Sequence, residues 1–172
     1  GPNGSGKTVL FEALALLGDS QAAPEILKRL DDGNAGVRET AAEALGRLRD
    51  PRSAAALTKA LASPEWGLRR AAALALGGLP GAPAAEALRR ILAEDPHWCV
   101  RSAAAAALGR SGDGSQAPAL IAALRDEHWL VRQAAHQALA AATRQKLGPG
   151  QEAWRAWWER EGDRAAPPAK KN

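Results

Sequence analysis

Residues 1–8, Gly-Pro-Asn-Gly-Ser-Gly-Lys-Thr, match the phosphate-binding pattern G-x-x-x-x-G-K-[ST] in full. In such a loop the glycines let backbone N–H groups cradle phosphates and the lysine reaches the terminal ones, so Gly6, Lys7 and Thr8 are the residues a nucleotide site would use. Two imidazoles, His97 and His128, recur at one repeat position and are the only pair with any metal-ligand character. No obvious carboxylate stands between them on their adjacent repeats, which favours a role in turns and predicts no metal and no cofactor. The single cysteine, Cys99, excludes an internal disulfide and a cysteine-based metal cage. Nowhere do two carboxylates, or a base and a nucleophile, recur at a spacing suited to acid–base or covalent catalysis. The residues therefore point away from an enzyme.

A phosphate-binding loop must hang from a buried parallel strand, and its partner aspartate closes a second apolar strand. No strand precedes Gly1 in the sequence given, and no apolar strand ending in aspartate follows it. The stretch Val9-Leu10-Phe11-Glu12-Ala13-Leu14 resembles the helix after this loop in SMC-like and other ABC-type ATPases. The same residues also fit a different register. Lys7 falls where Arg38 falls, and Leu14, Leu17, Asp19 and Ile26 match Leu45, Leu48, Asp50 and Leu57. Half a repeat with a Gly-rich leading turn is the better account, and a P-loop NTPase is disfavoured.

That register is an internal repeat. A basic residue followed seven positions later by leucine recurs as Lys7…Leu14, Arg38…Leu45, Arg69…Leu76, Arg101…Leu108 and Arg132…Leu139, at spacings of 31, 31, 32 and 31 residues. Such a period means stacked helical units. First helices are expected over about 20–30, 51–62, 83–94 and 116–126, with Asp19, Asp50 and Asp113 near their starts and Pro24, Pro51 and Pro83 in or near first turns. Second helices are expected over about 36–48, 67–78, 98–110 and 129–143, after short polar turns such as Asp126-Glu127-His128. No segment alternates with a two-residue period rich in β-branched residues, so no strand is expected.

The pattern of acid, short turn, Val-Arg, alanine-rich helix and Ala-Leu-Gly resembles the short bacterial HEAT repeats named after phycobilisome lyases. It covers about residues 9–143 and rests on Asp32…Arg38, Asp95…Arg101 and Asp126…Arg132, each acid six residues before its arginine. The resemblance implies that the acid caps the second helix and pairs with the arginine of a neighbouring repeat, giving a ladder along the stack. Ser63 replaces the acid before Arg69, so the ladder should weaken there. These arginines are assigned to stacking rather than to ligand binding.

On the second helices, the residue before the arginine, the alanines three and six after it and the leucine at plus seven share one face, as in Val100, Ala104, Ala107 and Leu108. The opposite face should line the concave side. It reads Glu39, Arg70, Ser102 and Gln133 at one level and Glu43, Leu74, Ala106 and Gln137 at the next. A further level, Gly46, Gly77, Gly109 and Ala140, looks bare. Trp66, Trp98 and Trp129 share one position three before the arginine, behind Glu65, His97 and His128. They act either as staples at helix starts or as an aromatic ridge for a partner. Lys28, Lys59 and Arg90, with Arg29 and Arg89 beside them, form a basic stripe on the first helices that reads as solvated surface. In the last helix, 151–160, Trp154, Trp157 and Trp158 lie at i, i+3 and i+4 and should close the apolar end of the array.

Composition agrees with closely approaching helices: alanine and leucine dominate among 172 residues, with one phenylalanine, six tryptophans and no tyrosine or methionine. The absent methionine suggests a processed or trimmed start, leaving a bacterial cytoplasm or, after loss of an export signal, the periplasm. No run is long enough to span a bilayer. The net charge of +4 is mild and spread out, far from a nucleic-acid-binding signature.

The sequence thus predicts an all-α, right-handed α-α superhelix, a HEAT-type (armadillo-like) solenoid of about four helical pairs. It is expected to form one domain over 1–161, with a half repeat at 1–18, repeats at 19–143 and a Trp-rich cap at 144–161, then a loose tail at 162–172. The expected role is a non-catalytic scaffold for another protein. Candidate contacts are Trp66, Trp98, Trp129, His97, His128, Arg70, Glu39 and Glu43. The rivals are a bilin lyase or chaperone, which only the resemblance suggests, and a HEAT-like DNA-binding or repair protein, which would want a strongly basic concave face.

Overall fold

The fold comes from a computed structural model, which describes Phe11, Ala13, Gly18, residues 20–80 and residues 84–165. Gly6, Lys7, Thr8, most of the expected half repeat, Pro83 and the tail beyond residue 165 lie outside the described residues. All regular structure among the described residues is helical. The chain forms two compact units, Gly1–Ala87 and Leu88–Asn172. The first contains α1 (Ala23–Leu27), α2 (Ala35–Leu48), α3 (Ala54–Ala60) and α4 (Trp66–Gly78). The second contains α5 (Ala85–Glu94, whose first residues belong to the first unit), α6 (Trp98–Arg110), α7 (Ala117–Ala123), α8 (Trp129–Thr143) and α9 (Gln151–Ala165).

Second helices fall where the periodicity places them, to within one residue. First helices, α5 excepted, do not run continuously. Three of them open in a 3-10 turn, at Ser20–Ala22, Pro51–Ser53 and Gly114–Gln116, and the α-helical part shrinks to between five and seven residues. The cause at the last two is local. The Asp50 and Asp113 carboxylates accept the N–H of the residue two positions on, each at 2.9 Å, which tightens the opening turn. Helices this short do not persist alone in water. They are held by Ile26, Leu57 and Leu120, each fully buried against the long helix of its own repeat.

Turns between the paired helices follow one rule. Asp32, Asp95 and Asp126 accept the backbone N–H of Asn34, His97 and His128 at 3.0, 2.9 and 2.8 Å, and Ser63 does the same for Glu65 at 3.2 Å. The acid therefore fixes the capping residue instead of capping the helix itself, a correction to the expected role. The caps are Asn34, whose side chain accepts from Gly36 and Val37, and His128, whose Nδ1 accepts from Leu130 at 3.3 Å.

The core is made between α2 and α4 in one unit and between α6 and α8 in the other. Val37, Val100 and Val131 and the four repeat leucines are at most 1 % exposed. Here a second expectation is corrected: the glycine level is no bare groove. A Cβ built on Gly46 would lie 2.7 Å from Ala75 Cα, and one on Gly109 would lie 2.6 Å from Ala138 Cα. These glycines are where successive long helices touch backbone to backbone. Gly109→Ala is expected to cost about 1–3 kcal/mol by overpacking. Adding Ala138→Gly should recover only part of it, because the Cα clash remains. Urea unfolding of the two variants measures both, and an unperturbed midpoint for Gly109→Ala would show that the helices can part freely.

Beyond α8 the chain turns through Gly148 and runs along α7 and the preceding 3-10 turn as α9. Trp154 is fully buried, its indole N–H donates to the Gly148 carbonyl at 2.8 Å, and His136 and Trp157 meet its ring edge-on at 6.1 and 6.0 Å. Trp157 is buried and Trp158 half-buried, lying over Gly162, where a Cβ would come within 2.7 Å of the ring.

Candidate functional site

The candidate residues gather where the short turn enters each long helix. In all four repeats the arginine six residues after the turn's first residue folds back onto the turn. NH1 of Arg38 donates to the Asp32 carbonyl, that of Arg69 to Ser63 at 3.0 Å, that of Arg101 to Asp95 at 2.9 Å and that of Arg132 to Asp126 at 2.8 Å. The clamp satisfies a carbonyl at the helix start and fixes the guanidinium plane.

With NH1 so held, the Nε–NH2 edges of Arg38 and Arg101 face the next repeat of the same unit. In the second unit Arg101 grips Asp126 with both, at 2.8 and 2.9 Å, and NH2 also reaches Glu127 at 3.1 Å. Arg101 is 8 % and Asp126 11 % exposed at the side chain, so this rung is nearly dry. Burial pushes the Asp126 carboxyl up, but the Arg101 guanidinium and the His128 N–H outweigh it and hold the group below the usual aspartate range. Asp126 in turn raises Arg101 further. In the first unit Arg38 reaches Glu65, with Nε to Oε2 at 3.1 Å and NH2 to Oε1. The expected weak rung at Ser63 is thus bridged: the serine hydroxyl takes over the turn and the glutamate two residues on takes over the arginine.

The tryptophans open α4, α6 and α8. Trp66 is 47 % and Trp129 58 % exposed, the two exposed large apolar side chains among the described residues, while Trp98 is half-buried. The His128 ring lies flat on Trp98, with centroids 4.1 Å apart and planes 2° from parallel. His128 Nδ1 is occupied by the Leu130 N–H, which places its ring proton on Nε2. No cluster of three or more His, Cys, Asp or Glu groups suited to a metal ion occurs among the described residues. On the face of α2 and α4 away from the core, Arg70 pairs with Glu39 at 2.7 Å and approaches Glu43 at 3.4 Å. Gly67 makes room for that carboxylate, since a Cβ there would stand 2.8 Å from Glu39 Oε2.

A family profile described as HEAT repeats matches residues 2–77 and again 55–140. The chain belongs to the HEAT-repeat family. Among solved structures it matches a chain in the complex of CpcE and CpcF of phycocyanin lyase from Nostoc sp. PCC7120, with 26 % identity and a TM-score of 0.66. The match covers 78 % of this chain and 59 % of that one, so this HEAT protein spans well under two thirds of its relative. Comparison with curated proteins finds no match. The all-α HEAT-type fold expected from the sequence is what these comparisons and the helices show.

Several residues escaped the sequence reading. Glu65 and Glu127 stand beside the expected ladder positions, and their signal was their placement within two residues of Ser63 and Asp126. A groove of about 560 Å³ between the first helices of the first unit, lined by Leu27, Leu30, Lys59, Pro64 and Leu68 among others, carries no sequence mark. It depends on which small side chains face each other across two repeats.

Proposed function

We infer that this HEAT protein is a non-catalytic scaffold whose partner is another protein, met through Trp66 in the first unit and Trp98 and Trp129 in the second, each at the turn that opens its long helix. His97 and His128 would back those rings, and Arg70, Glu39 and Glu43 would add a polar contact. The observation that carries the reading is the exposure of Trp66 and Trp129 at 47 % and 58 %. A staple would be covered, whereas tryptophans left in solvent at equivalent positions have the make-up of binding anchors. The ion pairs support the non-catalytic part, because Arg38 is taken up by Glu65 and Arg101 by Asp126. Glu39 and Glu43 neutralise Arg70, which argues against a nucleic-acid surface on that face.

The double variant Trp66→Ala/Trp129→Ala is expected to keep its helical signal and its stability within about 0.5 kcal/mol. It should lose partner capture, measured by pull-down against the wild type, by about tenfold or more. Retention of every wild-type partner would overturn the reading. A bilin lyase or chaperone role is the second reading, supported by the likeness to a phycocyanin lyase complex. It expects a linear tetrapyrrole to bind with a change in its absorbance spectrum, whereas the scaffold reading expects none.

A further inference from the structure

Within the second unit, one arginine and one tryptophan are met at two points by the turn of the next repeat. Arg101 has NH1 pinned by the Asp95 and Pro96 carbonyls at 2.9 and 3.4 Å, and its free edge takes the Asp126 carboxylate at 2.8 and 2.9 Å. Trp98, three residues earlier, takes the His128 ring at 4.1 Å. Asp126 and His128 are two residues apart, and the carboxylate holds the His128 N–H at 2.8 Å, which fixes ring and carboxylate relative to each other.

Thirty-one residues on, the same receptor recurs, and no described residue fills it. Arg132 has NH1 pinned by the Asp126 and Glu127 carbonyls at 2.8 and 2.9 Å. Its side chain is exposed, and among the described residues its Nε and NH2 have no partner. Trp129 stands 6.5 Å from His128, much as Trp98 stands 6.3 Å from His97, yet Trp129 is 58 % exposed. The closing helix α9 packs on α7 and the turn before it, and leaves this edge in solvent.

We propose that Trp129 and Arg132 form a docking site for a partner protein's turn that carries a carboxylate two residues before a flat aromatic or imidazole ring. The inference rests on the scaffold reading and names the partner's chemistry. The guanidinium fork is complementary to a carboxylate in charge and in planar geometry, and the indole face to a flat ring. Both are set before the partner arrives, as Arg101 and Trp98 are, so little ordering opposes binding. A second copy of this chain fits less well. Its first turn offers Asp32 but has Asn34 where the ring belongs, while Asp95 is buried and Asp126 is engaged.

The test titrates the full ¹⁵N-labelled chain with the blocked peptide Asp-Glu-His-Trp-Leu-Val-Arg and follows the Trp129 indole and Arg132 Nε signals by NMR. Saturable shifts at both are expected below about 1 mM. Arg132→Gln, Arg132→Lys, Trp129→Ala or an Asn-for-Asp probe should each weaken binding about tenfold. The lysine variant keeps the charge and loses the fork, so its weakening separates bidentate recognition from a general charge effect. No saturable shift, or equal binding of the Asn probe, overturns the proposal. Concentration-dependent dimerisation lost on Arg132→Gln overturns it in favour of self-association. If partner capture depends on Trp66 and Trp129 while Arg132→Gln and the peptide do nothing, the scaffold reading stands and the two-point receptor falls.

Discussion

Trp154→Ala is expected to destabilise the second unit by about 3–5 kcal/mol, the range for deleting a fully buried large aromatic. The residue is 0 % exposed, and the change also leaves the Gly148 carbonyl without its donor and the His136 and Trp157 rings without their edge-on partner. Among the described residues, Trp157 and the Gln151 side-chain amide, which donates to the Ile121 carbonyl at 3.0 Å, also anchor helix α9. Its loss should therefore expose α7 together with the tryptophan cavity. For a unit of this size such a loss lowers the melting temperature by roughly 12–40 °C. Trp158→Ala, at a half-buried ring, should cost much less. Thermal unfolding followed by circular dichroism checks both, and a drop for Trp154→Ala no larger than that for Trp158→Ala would mean that α9 is not docked through this ring.

Arg101→Gln has the second large effect. The substitution strips a nearly dry carboxylate of its bidentate partner and frees the Asp95 carbonyl, and breaking such a pair costs about 3–5 kcal/mol. The loss should depend on pH in a definite direction. Asp126 titrates below its unfolded value, so its contribution is complete above the ordinary aspartate pKa of about 4 and disappears as the pH falls through the folded one. The gap between wild type and Arg101→Gln should accordingly be full at pH 7 and narrow below about pH 4. Denaturant unfolding at the two pH values measures it. A gap of the same size in acid would show that the guanidinium acts by packing rather than through the carboxylate.

Periodicity made the long helices legible, because valine, alanine and leucine at fixed offsets from an arginine can share a face in only one way. Turn chemistry was less legible. Whether Asp32 or Asn34 caps α2 is decided by a backbone hydrogen bond two residues long, and both residue types suit either role. The glycine level was misread for a related reason. A missing side chain looks the same in a sequence whether it faces solvent or another helix, and only the 2.6 Å approach to Ala138 Cα tells them apart. The tryptophan position was clear from the repeat, but not its exposure: Trp98 has the His128 ring stacked flat against it, whereas Trp129 is exposed.

The arginine clamp has a consequence for how such a chain can lengthen. Each guanidinium is stilled by carbonyls of its own repeat, at Asp32, Ser63, Asp95 and Asp126, whichever carboxylate it later meets. A side chain of this kind carries about 2 kcal/mol of rotamer freedom, and here most of it is surrendered locally. The joint between neighbours is then a standard coupling that accepts Glu65 as readily as Asp126. A repeat added or removed as a whole would need no new joint, and either carboxylate would serve at the acidic position while the arginine stays. The reach of one side chain back to its own turn thus makes the repeat a self-contained unit of assembly.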